Sequence, residues 1–141
     1  MTVTARKAVE VPSKEADWSF TGGSTACLAL WPHIKPGQRA EDVPADVKAS
    51  HGYLGIMFGL AKVDPKRPCW TVPKIVPGAG GLLHWSERRR LTIGEVKRMA
   101  SFPDEVKLSG DYEAAWGQVG NCVPPFFMAA VAAAVRVTVG K

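Results

Sequence analysis

Two kinds of side chain in this 141-residue chain suit chemistry: cations clustered beside glycine, and thiols. Lys74 precedes, and Arg88, Arg89 and Arg90 follow, the glycine-rich run Pro77-Gly78-Ala79-Gly80-Gly81. Backbone amides bared by glycine, with lysine and arginine at hand, can approach phosphates or base edges. The same pattern also describes a hairpin loop beside a solvated charge run, and the local sequence favours that plainer reading. The cysteines number three, an odd count without metal-ligand spacing, which points to reduced thiols, no metal site and a cytoplasmic setting. A second glycine run, Phe20-Thr21-Gly22-Gly23, follows Lys14-Glu15-Ala16-Asp17 rather than the buried apolar strand that a nucleotide loop requires, and it reads as linker.

The elements that must position these groups are legible to different degrees. Residues 1–26 lack steady periodicity and read as a flexible arm. Residues 27–34 are short and apolar, 35–38 form a Pro-Gly turn, and 40–50 are polar loop with room for one helical turn. Residues 51–62 and 69–76 read as strands, the second an edge strand because of Pro73, with a short third strand at 82–85. Thr92 and Glu95 make a capping box for a helix. On that helix Ile93, Val96, Met99 and Ala100 share the apolar face, Glu95, Lys97 and Arg98 point away, and Pro103 stops it. A short helix over 112–119 leads to Gly120-Asn121 and then Pro124-Pro125, which suits the first turn of another helix running to about residue 137. Residues 126–135 carry no polar side chain, and Arg136 sits where a helix C-terminus favours a cation. Such a helix is apolar all round. It must be buried on every side, and it falls short of the roughly 20 residues that a bilayer requires. The chain is therefore expected to be part of something larger.

Composition sets outer bounds. Apolar residues make up 46% of the chain, which fits a globular protein of one ordinary domain, while 14 Gly and 11 Pro put much of the backbone in turns. A net charge of +5 permits a nucleic acid or an anionic membrane as partner without establishing either. Residues 1–17 are charged and lack the apolar core of a secretory signal.

The motifs resemble those of DNA cytosine-5 methyltransferases. Arg89-Arg90-Leu91-Thr92, Glu95, Arg98 and Phe102-Pro103-Asp104 are similar to the family's ninth motif. Gln118-Val119-Gly120-Asn121-Cys122-Val123-Pro124-Pro125 is similar to its tenth, in the family's order and spacing. Arg67-Pro68-Cys69-Trp70-Thr71-Val72 resembles an element of the target-recognition region, and Trp31-Pro32-His33-Ile34-Lys35-Pro36-Gly37 resembles the start of that region, so the similarity covers roughly residues 28–137. Gly94, Ala100 and Cys122 depart from the pattern, standing for an arginine, a glutamine and a serine or alanine.

The resemblance implies an α+β chain: a small, irregular, sheet-containing recognition region with the ninth-motif helix over 27–104, then a tenth-motif segment over 105–141. The last helix would pack on an α/β cofactor-binding domain that this chain lacks. It implies that Asn121, Cys122 and Val123 line an S-adenosyl-L-methionine pocket. It also implies that Thr71, Val72, Gly78, Gly80 and Gly81 meet double-stranded DNA, with Lys74, Arg88, Arg89 and Arg90 as phosphate contacts. The chemistry of such enzymes needs a cysteine thiolate that attacks C6 of a flipped-out cytosine. Pro68-Cys69 is only superficially similar to the family's proline–cysteine pair, and Asn121, the one asparagine, follows Gly120, so no Glu-Asn-Val is present. No catalytic residue is expected here. The expectation is a truncated gene product or one subunit of a split enzyme, which transfers methyl groups from S-adenosylmethionine to cytosine C5 only with a catalytic N-terminal part. The alternatives are a stand-alone DNA-binding or regulatory remnant and a non-functional gene fragment.

Overall fold

A two-stranded parallel sheet, β1 (Leu60–Lys62) beside β2 (Gly81–Leu83), divides the structure, with Leu60 opposite Gly81, Ala61 opposite Leu82 and Lys62 opposite Leu83. The computed structural model describes residues 4–6, 25–52, 60–75 and 81–139, of which 25–27 as backbone only. Every position of both strands is buried, as is usual for parallel strands covered on both faces. Successive strand side chains point to opposite faces. Leu60 and Leu83 therefore join one apolar cluster, while Ala61 and Leu82 join another.

The first cluster is closed by α1 (Thr25–Leu30), the 3₁₀ turns Trp31–His33 and Ala40–Asp42, and α2 (Ala45–Ser50), through Leu30, Ile34, Ala40 and Val43. The second is built by α3 (Ile93–Met99) and α4 (Tyr112–Asn121), which bury Ile93, Val96, Tyr112, Ala115, Trp116 and Val119. Ala5 is fully buried in this second cluster, and its N–H donates to the Arg67 carbonyl.

Mixed α+β architecture is as the sequence implies; β1 falls within the strand expected over 51–62 and β2 overlaps the one expected over 82–85, but the strand between them is absent among the described residues. Residues 69–75 form no strand, and β1 and β2 run parallel, so the link between them is a crossover and not a hairpin. Residues 27–30 are helical, and His51 and Gly52 are a turn at the end of α2. The strand expected over 53–59, the loop at 76–80 and the Phe20–Gly23 linker lie outside the described residues.

The helices follow their capping chemistry. Thr92 Oγ1 accepts the Glu95 N–H while Glu95 returns a bond to the Thr92 N–H, the expected capping box. α3 ends at Met99, and Ser101 then takes a left-handed conformation, φ 64°, with its N–H on the Arg98 carbonyl and the Phe102 N–H on the Lys97 carbonyl. This is the Schellman arrangement that usually calls for glycine. Glu95 and Lys97, expected to face solvent, are buried. Lys97 is held inside because its ammonium donates to the Asp104 and Val106 carbonyls, at 2.9 and 2.8 Å, in the loop after the helix.

α5 (Pro125–Val139) matches the expected apolar helix, and none of its residues is buried. Phe126 is 50% exposed and Phe127 62%. Its first turn is tied to the rest of the chain by the Phe126 N–H, which donates to Ser101 Oγ at 3.1 Å. Residues 112–139 hold a stretch apolar and long enough, by composition, to cross a membrane. The helix is interrupted after Asn121, however, and α4 buries Tyr112, Ala115, Trp116 and Val119 in the second cluster, so α5 alone falls short of a span.

Candidate functional site

Residues 69–75 cross the outside of α4, held by side chains rather than by a strand ladder. Cys69, Trp70 and Val72 pack against the second cluster, which leaves Thr71, Pro73, Lys74 and Ile75 exposed. The Pro73 carbonyl accepts the Trp116 indole N–H at 2.8 Å. Beside it the segment lies directly on two glycines of α4 spaced three apart, and so on one helix face. A Cβ on Gly120 would sit 2.6 Å from the Pro73 carbonyl carbon and 2.8 Å from the Lys74 Cα; one on Gly117 would sit 3.3 Å from the Lys74 oxygen. Gly120 is needed for this close approach, and Gly117 leaves room for it. Trp116, Gly117 and Pro73 were missed as site-forming residues in the sequence, although the Gly-x-x-Gly spacing was a readable signal.

One residue beyond Gly120 the chain enters the turn Asn121, Cys122, Val123. Cys122 caps α4 in an extended conformation, its N–H on the Val119 carbonyl at 3.2 Å. All three residues are exposed. They offer a carboxamide, a thiol and an apolar side chain in succession, with no charge.

The arginine run is neither a solvated stretch nor three equivalent hands for phosphate. Leu83 and Arg90 form an isolated antiparallel bridge, and the His84 N–H donates to the Arg89 carbonyl, which ties the run to the end of β2. Arg90 is buried, 6% exposed. Arg89 donates from both terminal nitrogens to the Glu95 carboxylate, each at 2.8 Å, and from Nε to Glu87 at 2.6 Å. These carboxylates hold its pKa above the ordinary arginine value. Arg88 is exposed, with Nε on the Leu28 carbonyl at 2.8 Å. Gly81 opens β2 at φ 118°, a conformation that itself calls for glycine. Gly78 and Gly80 lie outside the described residues. The structure thus seats the Pro73–Lys74 backbone on Gly120, one residue before the Asn121–Val123 turn, and puts Arg88–Arg90 beyond the end of β2.

His84 braces this hairpin from inside. Its Nδ1 accepts the N–H groups of Ser86 and Glu87, at 3.3 and 3.0 Å, and its ring stacks on Trp85 at 4.1 Å. An accepting Nδ1 requires the neutral ring. Burial, reinforced by Arg89 and opposed by Glu87 and Glu95, lowers its pKa below the ordinary 6.5. The unfolded chain then takes up the proton first, so stability is complete above about pH 6.5 and is lost as pH falls from there toward the depressed folded value. Thermal denaturation between pH 7.5 and 5 is expected to show this decline, and His84→Asn should flatten it.

The thiols differ in the same physical way. Burial pushes the Cys69 pKa up to about 12, which keeps it protonated and a poor nucleophile, whereas Cys122 is exposed. A disulfide reagent followed by peptide mapping is expected to label Cys122 at least tenfold faster than Cys69. Equal rates would contradict the packing around Cys69.

Comparison with known proteins assigns the chain. Residues 33–136 match the family C-5 cytosine-specific DNA methylase. The type II methyltransferase M.BbvI of Brevibacillus brevis is 29% identical over 125 residues, which cover 86% of this chain and 33% of that protein. M1.HphI of Haemophilus parahaemolyticus is 41% identical over 112 residues, 79% of this chain and 28% of that protein. M.AplI of Arthrospira platensis is 44% identical over 57 residues, 40% of this chain and 16% of that protein. The chain thus spans a third or less of the length of these relatives. No solved structure matches it. With its two motifs placed on α3 and on the α4–α5 junction and three quarters of its length matched, the chain belongs to the C-5 cytosine-specific DNA methylase family.

Proposed function

We propose that this chain is the target-recognition and C-terminal segment of a DNA cytosine-5 methyltransferase, and that it works only with a catalytic N-terminal part. The observation that carries this reading is α5: an apolar helix, exposed along its whole length, that begins two residues beyond the Val123 of the exposed turn. An uncovered surface of that kind marks an interaction site. Docking it on a cofactor-binding domain would bring Asn121, Cys122 and Val123 against the cofactor in the same movement. S-adenosylmethionine, the methyl donor generally used in the family, supplies the methyl group when bound. This chain's part is to present the Asn121 carboxamide and the Val123 side chain as one wall and to exclude water there.

For DNA, the reading assigns Thr71 and Lys74 to the duplex, with Val72 anchoring them from below, together with Gly78 and Gly80; Gly81 is left out, because it is buried as the first residue of β2. Arg88 is the phosphate contact of its run. Arg89 and Arg90 hold the hairpin that presents it, because a clamped and a buried guanidinium cannot reach a phosphate without leaving the core. A stand-alone DNA-binding remnant fits less well, since it would have to bury the α5 face by self-association.

The test is methyl transfer from labelled S-adenosylmethionine to DNA. The chain is assayed alone and mixed with an N-terminal methyltransferase part that carries the catalytic cysteine loop. Transfer is expected only in the mixture. Transfer by the purified chain alone, or none in the mixture, overturns the proposal.

A further inference from the structure

We infer that α4 is a positioning strut, in which Trp116 and Gly120 lock the DNA-reading segment around Thr71–Lys74 in register with the Asn121–Val123 turn, so that sequence reading and cofactor capture become one geometric event. The inference rests on the functional reading above and adds residues that touch neither DNA nor cofactor.

Three observations support it. The segment that carries Thr71 and Lys74 has no strand partner to fix its height, since residues 69–75 form no ladder. It is fixed instead by the Trp116 indole bond to the Pro73 carbonyl, a directional contact from a fully buried ring. It is also seated on Gly117 and Gly120 so closely that a single methyl group on Gly120 would overlap the Pro73–Lys74 backbone. Gly120 is followed directly by Asn121, the first residue of the turn. A helix is stiff along its axis, and a packed interface deforms in discrete steps rather than continuously. Displacing one end of this contact therefore displaces the other. By linkage, cognate DNA should tighten cofactor binding by the same factor as cofactor tightens cognate DNA.

The experiment uses the assembled enzyme, this chain plus the catalytic part, with Gly120→Ala and Trp116→Phe in this chain. Trp116→Phe keeps an aromatic ring in the core and removes the indole N–H; it serves if Gly120→Ala does not fold. Two readouts are taken: the ratio of kcat/KM on cognate and non-cognate DNA, and the change in cofactor Kd on adding cognate DNA. The expected result is a loss of discrimination of tenfold or more, with the DNA-induced tightening of cofactor reduced to less than half. Cofactor Kd without DNA should stay within twofold. A purely structural role would lower the yield of active complex and leave both ratios unchanged, and unchanged ratios in both variants overturn the inference while the functional reading stands. If the unsubstituted chain restores no methyl transfer, the functional reading falls and this inference with it.

Discussion

Replacing Trp116 by alanine is expected to destabilise the chain by about 3–5 kcal/mol, the usual cost of removing a buried tryptophan. The indole is fully buried among Ala61, Leu82, Val96 and Tyr112, whose ring centroid lies 6.0 Å away. Its neighbours come from both strands and from α3, which cannot all collapse into the cavity. Set against a total of about 5–15 kcal/mol for a domain, the loss is a large fraction of all there is. At roughly 4 °C per kcal/mol for a chain of this size, the midpoint should fall by about 12–20 °C. Differential scanning calorimetry reads it directly. A drop of less than about 5 °C would mean that the second cluster does not rest on this side chain.

Glu95→Ala should cost about 3 kcal/mol, which is unusual for a charge at the start of a helix. The carboxylate is 6% exposed and accepts three bonds: two from Arg89 and one from the Thr92 N–H. Removing it opens the capping box and leaves Arg89 facing a buried void. Breaking a buried pair costs about 3–5 kcal/mol, and the low end applies because the Arg89 side chain is 30% exposed and keeps Glu87. Glu95→Gln retains the shape and an acceptor, and should cost roughly half as much. Urea denaturation of the two variants separates the charge from the cap. Equal costs would assign the whole effect to the charge pair with Arg89, and a negligible cost for Glu95→Gln would assign it to helix capping.

What the sequence revealed and what it hid divide along a physical line. Local chemistry was readable: Thr92 and Glu95 sit three apart and close a box with each other, and Pro124-Pro125 followed by an unbroken apolar run must start a helix. Contacts between distant residues were not. The run Cys69-Trp70-Thr71-Val72 has the composition of a strand, yet it is pinned by Trp116, 43 positions from Pro73, and so needs no ladder. Lys97 has the charge of a surface residue, but two carbonyls beyond the helix satisfy it in the interior. The arginine run showed its charge and not its partners, because whether a guanidinium meets Glu95 or water depends on the bend between β2 and α3. Gly120 was visible as a motif letter; the backbone that crosses it was not.

Parallel pairing of β1 with β2 makes folding a late, all-or-none event. An antiparallel pair can zip from its turn, but these strands meet only after the connection 63–80 has closed on itself, at an entropic cost that no local contact offsets first. Leu60 and Leu83 complete one cluster while Ala61 and Leu82 complete the other, so neither half can persist while the strands are apart. Heating should therefore give a single transition rather than two, and refolding should proceed at the millisecond-to-second pace of chains dominated by non-local contacts. α5, whose bonds are local apart from the Phe126 N–H on Ser101 Oγ, forms ahead of that step, and the chain presents its most adhesive surface before it has an interior.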